Sequence, residues 1–156
     1  MRVWIGLLLC LVSAMSSAQE HASPWMGKGA QGQTITFDPA HRDRPAILLF
    51  WATWCPYCEK LMPSLQKVYE AAGAQNLDVY AIDIKDDGDP VAALKDRGQT
   101  FTLVRDGDAI ADQYRVKGTP GLFLVDAKGE VIYHPNTSDP AVVEAALREK
   151  LHLPAK

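Results

Sequence analysis

The chain has 156 residues, 47% of them hydrophobic and 22% charged, with a formal net charge of −3. That length suits one domain around one core and leaves no room for two. The mildly acidic balance excludes nucleic acid as a partner, because phosphate binding needs clustered Lys and Arg.

Met1 and Arg2 precede an uncharged apolar run from Val3 to Val12, and residues 13–18 are small or apolar. This is the layout of a secretory signal peptide, with Ser16 and Ala18 as the small residues before a cut after Ala18. The run is too short to span a bilayer, which takes about 20 apolar residues. Residues 1–18 are therefore expected to be removed, and Cys10 with them. What remains holds Cys55 and Cys58 alone, too few for a stapled scaffold even in an oxidising compartment. Two cysteines separated by two residues close a loop too small to add much stability, so chemistry is the better explanation for them.

Residues 19–32, rich in Gly, Ser, Ala and Gln without apolar period, read as a flexible leader, and residues 33–156 as the domain. A short strand is expected over 34–37, a charged turn over 41–45, and a fully buried strand over 46–51. Leu61, Met62, Leu65, Val68 and Tyr69 recur at helical spacing and predict a helix from Cys58 to Ala72, with Pro63 inside it and Gly73 at its end. A buried strand over 77–84 follows. Asp89 as cap and Pro90 as first residue predict a second helix to about Arg97, stopped by Gly98. Strand, helix and strand then make a right-handed βαβ unit. A short strand over 101–104 and a helical turn over 109–114 come next. Residues 122–125 and 130–133 flank a turn as a hairpin, and Val142, Val143, Ala146, Leu147 and Leu151 form an apolar stripe on a last helix capped by Asp139.

A cysteine at the end of a buried strand and the start of a helix meets outward-pointing N–H groups and the positive end of the helix dipole. Cys55 is thus the expected nucleophile, its pKa lowered from about 8.5 into the range of roughly 3.5 to 7.5. Cys58, one turn further in, is the resolving thiol that attacks the mixed disulfide formed at Cys55. A zinc site would need two more ligands. His134 and His152 lie far along the chain without ligand spacing, and His21, His41, His134 and His152 read as surface residues. No metal and no cofactor beyond the cysteine pair is expected. The aspartates of residues 83–89 fail as a calcium loop, because Lys85 and Leu94 stand where acidic ligands are required, and read as a solvated turn.

Phe50-Trp51-Ala52-Thr53-Trp54-Cys55-Pro56-Tyr57-Cys58, with Pro63 beyond, resembles the thioredoxin superfamily, and within it the TlpA-like branch of exported thiol-disulfide reductases. Gly118-Thr119-Pro120-Gly121 resembles the segment that carries the family's cis-proline. The resemblance covers 33–151. It implies an α/β thioredoxin fold, a central mixed sheet flanked by helices, with a TlpA-like βα insertion at about 89–104 before the cis-proline segment. It also implies that Pro120 lies against Cys55, and that the backbone of Thr119 binds an extended stretch of substrate by strand addition. Trp54, Pro56 and Tyr57 would border that groove. Two positions depart from the family pattern. Leu49 stands where thioredoxins carry a buried acid, and Leu61 where some cytochrome-maturation relatives carry a glutamate.

The implied function is a periplasmic bacterial enzyme, a monomer, that reduces disulfides of exported proteins, apocytochrome c being one candidate, and is recharged by a membrane electron donor. The Pro-Tyr dipeptide between the cysteines also resembles glutaredoxins and oxidising relatives, which leaves a disulfide oxidase or isomerase as the alternative. A copper or zinc carrier using the same thiolates is a third reading.

Overall fold

The computed structural model describes residues 20–155. The expected signal peptide and Cys10 lie outside them. Among the described residues no helix is long and apolar enough to cross a membrane.

Five strands form the central sheet: β3 (Ala46–Trp51), β4 (Asp78–Asp83), β5 (Thr102–Val104), β6 (Gly121–Val125) and β7 (Val131–Tyr133). Their order is β5-β4-β3-β6-β7. The first three run parallel, and β6 and β7 are antiparallel to their neighbours. Every residue of β3 is buried, as its unbroken apolar run requires of a central strand covered on both faces. On one face Ile47, Leu49 and Trp51 pack with Leu61, Met62 and Leu65 of α1 (Pro56–Ala72) and with Val143 and Leu147 of α4 (Pro140–Lys150). On the other, Leu48 and Phe50 pack with Ile82, Val104, Phe123 and Ile110, the last from α3 (Asp108–Gln113).

The helix ends follow capping chemistry. Asp89 accepts the N–H groups of Val91 and Ala92 ahead of α2 (Pro90–Asp96). Asp139 does the same for Ala141 and Val142 ahead of α4. Gly73 closes α1 at φ 81°, a backbone angle that glycine adopts without Cβ strain. Pro63 lies inside α1 as expected, but the helix begins two residues earlier than its apolar period suggests. Pro56 suits a first helical position, and the Cys55 sulfur serves as the cap. On α4, Val142 departs from the expected stripe and is half exposed, so Val143 and Leu147 carry the burial.

The largest departure concerns the leader. Instead of a flexible segment, residues 20–32 include β1 (Trp25–Lys28), which pairs antiparallel with β2 (Thr34–Phe37). Trp25 is buried, stacks on Phe37 at 5.3 Å and meets the Tyr80 ring edge-on at 5.3 Å. Around it, Val131 donates to Glu20 O at 2.8 Å, Ala22 to Gly129 O at 2.8 Å, and the Tyr114 hydroxyl to Ser23 O at 2.6 Å. The hairpin covers a sheet face that the six residues of α3 cannot cover alone. Polar composition hid this because one tryptophan, rather than an apolar period, supplies the anchor.

Candidate redox site at the β3–α1 junction

Leaving β3, the chain turns through residues 52–55, with the Cys55 N–H donating to Ala52 O at 3.2 Å, and enters α1. Cys55 and Cys58 form a disulfide. Both are buried, Cys55 at 2% exposure and Cys58 at 0%. The Cys58 N–H donates to the Cys55 sulfur at 3.1 Å. A backbone donor aimed at that sulfur from the first turn of a helix is the arrangement that stabilises a thiolate once the disulfide is opened.

Around the buried sulfurs stand Trp54 and Tyr57, each about three-fifths exposed. The peptide between Thr119 and Pro120 is cis. It leads into β6, where Gly121 pairs with Phe50 of β3, so it sits at the same end of the sheet as the cysteine turn. Tyr57, Thr119 and Pro120 meet in an open cleft of about 290 Å³, closed on its far side by residues 135–138. Trp54 does not line that cleft. Its indole donates to Lys85 O at 2.9 Å, over the loop that follows β4. Pro56 is exposed as the first residue of α1. Leu49 and Leu61, the two positions that lack an acid, are fully buried in the apolar face beside the cysteines.

The sequence reading missed the support under this turn. Asp86 accepts the Thr53 N–H and, at 2.6 Å, the Thr53 hydroxyl. It also accepts the Gly88 N–H at 3.0 Å. From the far end of α2, the Arg97 guanidinium donates to Thr53 O at 2.8 Å and lies over the Trp51 ring at 5.7 Å. The expected solvated turn holds for Lys85, Asp87, Gly88 and Asp89, which are exposed, but Asp83, the last residue of β4, is 7% exposed and Asp86 is half-buried. Strand alternation puts Asp83 on the same face as Val79 and Ala81, beside its register partner Trp51. Burial foremost, then the neighbouring Asp86, pushes Asp83 up to about 7. Burial would raise Asp86 too, but the hydrogen bonds from Thr53 and Gly88 outweigh it and hold Asp86 below the usual carboxylate range. The signal available in the sequence was position alone, since a strand ending in Asp83 must place it beside the end of β3.

Among the described residues, no three of His, Cys, Asp and Glu are grouped to hold a metal ion. His134 stacks on Phe123 at 4.1 Å, and its Nδ1 lies 2.7 Å from Leu122 O.

Comparison with known proteins agrees with this geometry. The model of the AhpC/TSA family matches residues 18–134. Thiol-disulfide oxidoreductase ResA of Geobacillus kaustophilus is 33% identical over 93 residues, covering 58% of this chain and 53% of that protein. Thiol:disulfide interchange protein DsbE of Escherichia coli is 31% identical over 121 residues, covering 75% and 63%. The chain thus spans between half and two thirds of the length of these two relatives. The thioredoxin domain of a thiol-disulfide oxidoreductase from Bacteroides vulgatus superposes with a TM-score of 0.68 at 20% identity, covering 83% of this chain and 96% of that one, a likeness of fold. With a family match across three quarters of its length and a mixed sheet that brings a cysteine pair and a cis-proline to one end, the chain belongs to the AhpC/TSA family of the thioredoxin superfamily.

Proposed function

We propose that the protein is an exported thiol-disulfide oxidoreductase that reduces disulfides of other exported proteins through Cys55 and Cys58. The observation that carries this reading is the placement of the Cys55 sulfur at the N-cap of α1, accepting the Cys58 N–H and paired with Cys58. In the reduced protein, the Cys55 thiolate attacks one sulfur of a substrate disulfide, forming a mixed disulfide and expelling the other sulfur as a thiolate. Cys58 gives up its proton, attacks the Cys55 sulfur and releases the second substrate thiolate. Two electrons have then passed to the substrate, and the Cys55–Cys58 disulfide remains.

The pair carries these electrons without a further cofactor, and a membrane electron donor restores the dithiol. The substrate lies along Thr119 and Pro120 by backbone pairing, with Tyr57 at its flank. Apocytochrome c is a candidate substrate. The protein acts as a monomer in the periplasm after cleavage behind Ala18, so the mature protein should begin at Gln19 when its N-terminus is sequenced.

The test is an equilibrium redox titration of the mature protein against glutathione, followed by tryptophan fluorescence, with Cys55→Ser as control. A potential below that of the glutathione couple, with a signal lost in the control, supports a reductase. A potential near about −120 mV, the strongly oxidising end of the dithiol scale, refutes the reductase and leaves an oxidase or isomerase.

A further inference from the structure

The cysteine turn is gripped from both sides of one peptide unit. Asp86, from the loop after β4, holds the N–H and hydroxyl of Thr53, and Arg97, at the end of α2, holds its carbonyl oxygen. Neither group is an ordinary surface charge. Arg97 Nη1 is buried without a hydrogen-bond partner among the described residues, as is Oδ1 of Asp83, whose carboxyl is raised in part by the neighbouring Asp86. The other charges that bear on this carboxyl pair come from the β5–α3 segment: Asp106, and Asp108, which accepts the Lys85 N–H at 3.1 Å. Thr53 lies two residues before Cys55, and no acid stands at Leu49 or Leu61. On α1 itself Glu59 and Lys60 follow Cys58 and are exposed to solvent, whereas Asp86 and Arg97 are half-buried and bonded directly to the peptide of the cysteine turn.

We propose that Asp86 and Arg97 are positioning residues of opposite electrical effect: they fix the Thr53 peptide, and through it Cys55, while Asp86 disfavours and Arg97 favours the Cys55 thiolate. This rests on the dithiol reading above. A more stable thiolate favours the reduced form of the pair. Asp86→Asn removes the negative charge at the cost of one acceptor, because its amide nitrogen cannot take the N–H of Thr53 or Gly88. It is made in an Asp83→Asn background and compared with Asp83→Asn alone, so that no neighbouring carboxyl ionises in its place, and there the reduced form gains. Arg97→Gln removes the positive charge, so the reduced form loses.

The experiment measures the equilibrium constant of each variant with glutathione at pH 7, and titrates the Cys55 thiolate by its ultraviolet absorbance in the reduced proteins. Asp86→Asn is expected to raise the constant for reduction by about three- to tenfold and Arg97→Gln to lower it by a similar factor, as for charges partly screened by solvent. Arg97→Lys, which keeps the charge and loses the guanidinium fork, should stay within about twofold of wild type on the same reasoning. Thiolate pKa values should move down in Asp86→Asn and up in Arg97→Gln. Shifts in the same direction for both variants, or none while thermal stability falls in both redox forms alike, would overturn the proposal and leave a structural clamp. If wild type itself fails to exchange with glutathione, the dithiol reading fails instead, an outcome readable without either variant.

Discussion

Replacing Asp83 by Asn tests the buried carboxyl pair directly. Asp83 is pushed up to about 7 in the folded protein, against about 3.9 in an unfolded chain. A raised acid contributes its full stability below the unfolded value and loses it as pH rises through the folded one. Between pH 4 and pH 8 the wild type therefore pays a growing cost for ionising Asp83 beside Asp86, and the Asn variant does not. A difference of about 3 pKa units sets a ceiling of about 4 kcal/mol at 1.36 kcal/mol per unit. Relaxation of the surrounding structure offsets part of that cost, so about 2 kcal/mol is expected. Asn fits the same space, and its amide can still donate to Asp86. Urea unfolding of the oxidised proteins at pH 4, 5, 6, 7 and 8 should show the variant gaining on wild type steadily, and at pH 8 exceeding it. Parallel stability curves across that range would refute the argument that Asp83 is forced to ionise in a poorly solvated place.

Three further outcomes follow from the packing and the site. Trp25→Ala should cost about 3 kcal/mol in the same urea assay, because a buried tryptophan stacked on Phe37 leaves a cavity in the face covered by the hairpin; a cost under about 1 kcal/mol would return residues 20–32 to the status of a loose leader. Arg42 sits almost fully buried against Asp78 and over the Phe37 ring at 4.9 Å, so Arg42→Ala should cost about 3 kcal/mol by stranding that carboxylate, more than the double variant Arg42→Met with Asp78→Asn. Cys58→Ser should hold a disulfide substrate as a stable mixed disulfide on Cys55, visible by mass under non-reducing conditions, whereas Cys55→Ser should form none.

How far the sequence foretold the molecule depended on the range over which each feature is determined. The run from Ala46 to Trp51 and the period of α1 are local properties, and they found the strand and the helix that place Cys55. The caps at Asp89 and Asp139 are equally local, each answering orphaned N–H groups two and three residues ahead. The pairing of β1 with β2 is not local in that sense. Lys28 and Thr34 close a short loop, but what holds the hairpin down is Trp25 against Tyr80 of β4, a contact across 55 positions that polar composition cannot announce.

The same limit hid the support of the site. Thr53 and Asp86 are 33 residues apart, and Thr53 and Arg97 are 44. Between them lie all of α1 and β4, and only the parallel register of β3 with β4, Trp51 against Asp83, brings the two segments together. Read alone, residues 83–89 are aspartates in a turn, and water is the economical partner for them. Once the sheet is built, that turn has nowhere to go but over the end of β3, where backbone N–H and C=O groups of the cysteine turn need partners that no strand or helix supplies. Asp86 and Arg97 meet that need from opposite sides. The charge that this places on the cysteine turn is then a consequence of closing the backbone's hydrogen bonds, which is why the segment after β4, far beyond Cys55 in sequence, is the one proposed to bear on that cysteine's chemistry.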